Sequence, residues 1–205
     1  PTTISTDNLP AATYGRDYIT TYTDGEQRSE SFLAPSDGDN TITVDPNHGY
    51  DETCGTDKSA GPCKTYSTAI GKVLYGNTLL LLPGTYTPTE QKEITNAITL
   101  RGKDNSQAST ILSLATIADT ASVYKLTSAS ASLTVHYLTF TYAASSTTGV
   151  FALDSENEGL SLSLTSCVFT TTDVANTLTQ PMIDAGKGSV TVTGCLLTTI
   201  GMATD

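Results

Sequence analysis

The chain lacks tryptophan altogether and holds only four phenylalanines, two methionines and two histidines in 205 residues. Charge is also scarce, at 15% of residues, and basic charge most of all: ten Lys plus Arg stand against 21 Asp plus Glu, a formal net charge of −11. No basic stripe remains to follow a phosphate backbone, so nucleic acid is not an expected partner. The same acidity opposes attraction to anionic membranes, and no apolar run approaches the roughly 20 residues that span a bilayer, so membrane insertion is not expected. Asn-x-Ser/Thr sequons are missing, since Asn40, Asn77 and Asn176 are each followed by Thr one position too early, which argues against ordinary N-glycosylation. Nor is there a Gly-x-Ser-x-Gly elbow to place a nucleophile beside His48 or His136, so a catalytic triad is unsupported.

What is present is Ser, Thr, Ala and Gly, which makes the surface hydroxyl-rich, and a length that suits one main core. The chain begins at Pro1 with neither an initiator Met nor an apolar leader and reads as a processed or excised form. Residues 1–40 are thinly hydrophobic, with apolar islands at Tyr18-Ile19, Tyr22 and Phe32-Leu33 between Pro10, Gly25, Pro35 and Gly38. This segment reads as an extended N-terminal arm that packs on its own body or on a neighbour, followed by a folded domain over 41–205.

Four cysteines are present. Cys54 and Cys63 bracket a polar loop, CGTDKSAGPC, in which a short disulfide is sterically reasonable, and this favours an oxidising compartment. A metal reading of the pair is weaker, because no second thiol or His pair stands at zinc-site spacing. From Thr41, TITVDP predicts a strand, Thr65–Leu74 a short helix with Ala69, Ile70, Val73 and Leu74 on one face, and NTLLLLPGTYT a strand turned at Pro83-Gly84.

A repeat then dominates. LTVHYLTF from Leu133, LSLTSCVF from Leu162 and VTVTGCLL from Val190 align at offsets of 162 − 133 = 29 and 190 − 162 = 28 residues. Each is preceded by a shorter strand, VYKL, VFAL or MIDA, while AITLRG and TILSL read as a less regular turn of the same plan. Alternation such as Leu162, Leu164, then Cys167, Phe169 is strand-like and bent in the middle. Short strands at this period suit a three-sheet coil, with about five coils between Leu79 and Ile200. Stacking makes Val135, Leu164 and Val192 one interior ladder and Leu138, Cys167 and Cys195 another, and sets His136 outside with Thr165 and Thr193.

On CGTDKSAGPCKTYSTAI, GNTLLLLPGTYT, ITLRG and the CVF and GCLL ends, the chain resembles the parallel β-helices of the pectin-lyase-like superfamily. It is most similar to cell-surface members of the polymorphic-outer-membrane-protein or adhesin type. The resemblance spans about Thr41 to Ile200 and implies an all-β, right-handed parallel β-helix (solenoid), with the cysteine-bracketed loop leading to a short N-terminal capping helix.

Enzymatic members of such a fold hold calcium with clustered carboxylates or place paired acids across a glycosidic bond. Here Asp154, Glu156 and Glu158 share a loop, Asp173 and Asp184 stand apart, and Arg101 is the only Arg after Arg28. No active site is legible, and the protein is not expected to be an enzyme or to carry a cofactor. Calcium ligands are conceivable at Asp37, Asp39, Asn40, Asp45, Asp51, Glu52 and Asp57, although Asp and Asn near Gly and Pro more often form turns. Cys167 and Cys195 are expected as stacked free thiols, with a disulfide as the alternative. Ser/Thr loops such as Ser145–Thr148 and Thr170–Thr172 leave O-linked sugar open, or simply suit strands.

A coil exposes apolar core at both ends. The first has Thr65–Leu74 as a cap, whereas after Ile200 only five residues follow. Its cover is therefore more of a longer chain, the arm folded back, or a neighbouring subunit. The leading expectation is an extracellular structural subunit that assembles head to tail, its arm lending a strand to a neighbour. A monomeric adhesin or glycan-binding module is the alternative, and a polysaccharide lyase or hydrolase a third.

Overall fold

A computed structural model describes residues 3–4, 17–21, 27–31, 40–55, 61–73, 77–104, 109–114, 122–142, 149–171 and 182–198. Within the arm, β1 (Thr3–Ile4), β2 (Asp17–Thr21) and β3 (Gln27–Ser31) form a three-stranded antiparallel sheet with β2 in the centre. The arm thus pairs with itself and leaves β1 and β3 as its edges. Tyr18 and Ile19 lie in β2; Tyr22, Phe32 and Leu33 fall outside the described residues.

From Thr41 the body is a parallel β-solenoid. β4 (Thr41–Val44) and α1 (Tyr66–Gly71) precede the coils. The first coils are β5 (Thr78–Leu81), β6 (Gly84–Tyr86) and β7 (Lys92–Ile94), then β8 (Ala97–Gly102), β9 (Thr110–Leu114) and β10 (Ser122–Leu126). β11 (Ser132–His136), β12 (Thr139–Tyr142) and β13 (Gly149–Leu153) follow, then β14 (Ser161–Thr165), β15 (Val168–Thr171) and β16 (Ile183–Asp184), and last β17 (Ser189–Thr193) and β18 (Leu196–Thr198). From β5 onward every third strand stacks on its predecessor, and β4 pairs directly with β5, giving parallel sheets ordered β17-β14-β11-β8-β5-β4, β18-β15-β12-β9-β6 and β16-β13-β10-β7.

The register is what the repeat dictates. Leu133 pairs with Leu162 and that with Val190, and Val135 with Leu164 and Val192. Because side chains alternate across a strand, this register sends apolar columns inward. In the six-stranded sheet one runs Ile98, Leu133, Leu162, Val190 and another Ile42, Leu79, Leu100, Val135, Leu164, Val192, and in the five-stranded sheet one runs Tyr86, Leu112, Phe140, Phe169, Leu197. The few large aromatics meet at the centre: Phe140 stacks on Phe169 at 5.0 Å, Tyr124 on Phe151 at 5.5 Å, and Phe140 meets Phe151 edge-on at 5.5 Å. The segments that read as single bent strands are each two strands on different sheets. Their bends carry left-handed backbone at Tyr137 (φ 56°), Ser166 (φ 52°) and Gly194 (φ 61°).

The beginning of the coil is closed. Cys63 bridges Val44 in parallel, its N–H donating to the Thr43 carbonyl and its carbonyl accepting from Asp45 N–H, both at 2.8 Å. That pairs the outer edge of β4 at its C-terminal end, and it needs Gly49, where a Cβ would sit 2.2 Å from the Cys63 oxygen. α1 starts at Thr65, whose hydroxyl accepts from Thr68 N–H as an N-cap. It buries Tyr66, Ala69 and Ile70.

Candidate functional site

The disulfide expected between Cys54 and Cys63 is present, with a Cα–Cα distance of 4.8 Å and both residues buried. Asp51 organises the loop it closes: Oδ1 accepts from the N–H groups of Lys64 and Thr65 and Oδ2 from the Thr65 hydroxyl, each at 2.9 Å. Partial burial pushes the Asp51 carboxyl up, but the hydrogen bonds from Thr65 and Lys64 outweigh it and hold the group below the ordinary carboxylate value. Lys72, just past the helix, donates from Nζ to the carbonyls of Asp51 and Cys54 at 3.0 and 2.8 Å. Asp51, Cys54 and Cys63 lie close enough together to suggest a metal group. Yet both sulfurs are spent on each other, and the carboxylate already accepts three hydrogen bonds, so the chemistry there is that of a clamp.

The other acids behave as turn formers. Asp45 Oδ1 accepts from Asn47 and His48 N–H at 2.9 and 3.1 Å, with His48 Nδ1 3.2 Å from Oδ2. Asp154 accepts from Glu156 N–H and Asp184 from Gly186 N–H. Asn40 and Glu52 are exposed, whereas Asp37, Asp39, Asp57 and Asp173 lie outside the described residues.

Beside the cap, Tyr66 from α1 and Tyr124 from β10 share a buried hydroxyl–hydroxyl hydrogen bond. Burial pushes both phenols well above their ordinary value. They line a shallow depression together with Glu90 and Lys92.

At the far end Cys167 and Cys195 are free thiols on adjacent coils. They are stacked, as preferred from the sequence, with Cys167 N–H donating to Cys195 Sγ at 3.4 Å. Burial pushes the Cys167 thiol up to about 12.

The last coil is the largest departure from a satisfied surface. Along the six-stranded sheet's inward column exposure is 0% at Leu164 and 49% at Val192, its register partner; along the five-stranded sheet it is 2% at Phe169 and 58% at Leu197. Leu196 is also 58% exposed. Val192 and Leu197 continue the inward columns, whereas Leu196, the register partner of half-buried Val168, lies on the other face of β18; no described residue stacks on this rung. β17 and β18 contain no charged residue, so the face they form is apolar and hydroxyl-bearing, with a strand edge that no other described strand pairs. The sequence repeat located it, because Val190–Leu197 is the last segment of its kind.

The outer face of the six-stranded sheet is polar. Thr78, Thr99, Thr134, Ser163 and Thr191 form one column, and Arg101, His136, Thr165 and Thr193 the next. His136 therefore sits on a hydroxyl ladder as expected, half-buried, with Arg101 exposed on one side. Tyr137 follows at the bend, its ring 5.9 Å from the Arg101 guanidinium and 6.0 Å from the imidazole. This neighbour was missed in the sequence, and its signal was Gly102. A Cβ there would lie 2.4 Å from the Tyr137 carbonyl oxygen, so glycine lets the bend approach Arg101.

No helix of the described residues is long and apolar enough to cross a membrane. No family model matches the chain, and no curated protein or solved structure matches it either.

Proposed function

We propose that this protein is an extracellular structural subunit that assembles head to tail, its open last coil receiving a β-strand edge from the N-terminal arm of a neighbour. The observation that carries the reading is the loss of burial between register partners at the final rung, from Leu164 to Val192 and from Phe169 to Leu197. An apolar rung with unpaired N–H and C=O groups is what a sheet edge presents to an added strand. At the opposite end Cys63 already occupies the edge of β4, so the neighbour's arm, with edges at β1 and β3, is the better donor. The disulfide supports an oxidising, extracellular setting. The resemblance to adhesin-type members of the pectin-lyase-like superfamily supports a surface location and a non-catalytic role.

Deleting residues 1–40 tests the reading. Electron microscopy is expected to show filaments or layers for the full chain and single particles for the deletion; unchanged assembly rejects arm donation. A second reading, a monomeric glycan-binding module, draws on the largely half-buried hydroxyl columns on the outer face of the six-stranded sheet. Specific hits on a glycan array from a monomeric native protein favour it.

A further inference from the structure

A described group on this acidic protein is positioned for a ligand of opposite sign, on the outer face of the six-stranded sheet, three strands from the open coil. Arg101 is exposed on the outer face of the six-stranded sheet, and among the described residues no carboxylate forms an ion pair with it. In a chain of net charge −11, a guanidinium without a carboxylate partner among the described residues keeps its fork of donors available to an anion from outside.

Its surroundings add chemistry in register. Parallel pairing puts His136 directly beside Arg101 and Thr165 directly beside His136. Successive strands are about 4.8 Å apart, so guanidinium, imidazole and hydroxyl lie along a line of about 10 Å. The next outward column, Thr99, Thr134 and Ser163, runs parallel to it, and no hydrogen bond to protein occupies those three hydroxyls among the described residues. At the bend the Tyr137 ring lies beside both Arg101 and His136, held there by left-handed backbone at Tyr137 and by the missing Cβ of Gly102. A non-glycine residue kept in that conformation costs energy that the surroundings must overcome.

We propose that Arg101, His136, Thr165 and Tyr137 form a recognition site for a sugar bearing a tetrahedral oxyanion ester, a sulfate monoester in particular. The guanidinium fork takes two oxygens side by side. A carboxylate is exhausted by that contact, whereas a tetrahedral ester offers a third oxygen to the His136 N–H on the adjacent strand. Thr165 and the neighbouring hydroxyl column then meet the sugar's hydroxyls, and the Tyr137 ring its apolar face. Sulfate is favoured over phosphate because a single negative charge is repelled less by the acidic protein than a double one. The site is independent of the assembly reading, since it lies on the outer sheet face and uses neither the arm nor the last coil.

The groups facing His136 are Arg101 from β8, Thr165 from β14 and the Tyr137 ring. Burial first, and then Arg101, lower its pKa below the ordinary 6.5, so it is neutral at pH 7 and one tautomer supplies the N–H. Protonation adds a second donor, and affinity is expected to rise as pH falls through that lowered value.

Titration by two-dimensional amide NMR at low ionic strength tests the proposal, with glucose 6-sulfate, glucose 6-phosphate, glucuronate and glucose as probes. Glucose 6-sulfate is expected to shift the amides around Arg101 and His136 saturably and to bind most tightly of the four. Arg101→Ala should weaken it about tenfold or more, and Arg101→Lys, which keeps charge but loses the fork, should restore only part. His136→Gln should abolish the pH dependence while leaving the fold intact. Absence of saturable shifts, equal binding of glucose, glucuronate binding as tightly as the sulfate, or an Arg101→Ala variant that binds like the native protein would each overturn the proposal.

Discussion

Leu164 and Val192 are register partners on the same inward column, yet one is fully buried and the other 49% exposed. Truncating each to alanine should therefore give very different losses. Leu164→Ala removes three carbons from the interior, about 2.4 kcal/mol at 0.8 per carbon, and the cavity left behind brings the total to about 3–4 kcal/mol. Val192→Ala removes two carbons, about 1.6 kcal/mol if fully buried and about 0.8 when half of that surface is already wet. The difference, at least about 2 kcal/mol, corresponds to about 1 M urea in the midpoint for a slope near 2 kcal/mol/M. The assay is far-UV circular dichroism in urea at low micromolar concentration, where copies are apart. Raising the concentration should then increase the cost of Val192→Ala and leave that of Leu164→Ala unchanged, because only Val192 gains cover on assembly. Equal losses at the two positions in dilute solution would refute the reasoning, since the last rung would then be covered in the single chain.

Removing the Cys54–Cys63 disulfide by a double Ser substitution should destabilise the closed end by about 2.7 kcal/mol, from the loop-closure entropy of about ten residues, read as a lower thermal midpoint. Asp51 has a folded pKa below its unfolded one, so its stabilisation is fully present above the unfolded value near 3.9 and is lost as pH falls toward the lowered folded value. Asp51→Asn should flatten that part of the acid limb in a pH series of urea midpoints. Iodoacetamide at pH 8 should label Cys195 in the native dilute protein and spare Cys167, whose thiol is buried and held near 12, until the coil is unfolded; peptide mass mapping separates the two sites.

The solenoid was legible because its physics is periodic. Offsets of 29 and 28 residues force Val135, Leu164 and Val192 into one column, and the register observed is the one those offsets require. The cap was legible in part. Its helix is shorter than Thr65–Leu74, ending at Gly71 with Lys72 turned back to the Asp51 and Cys54 carbonyls. Asp51 reads as one acid among many until the loop closes and brings Thr65, fourteen positions on, to its carboxylate. The pairing of β2 with β3 had a local signal, Asp24-Gly25 between two polar strands, but without hydrophobic alternation it did not stand out. The Arg101–Tyr137 contact spans separate coils, and its signal, Gly102, gains meaning only once stacking brings the Tyr137 carbonyl against it.

On the proposed reading, the last coil is an assembly face. Sedimentation velocity over a hundredfold concentration range, on the native protein and on Leu196→Asp/Leu197→Asp, tests it most directly. Both side chains are 58% exposed, so the double variant should fold as a single chain. The native protein is expected to associate with rising concentration and the variant to stay monomeric. Association of the variant to the same extent, or a native protein that stays monomeric throughout, would contradict it.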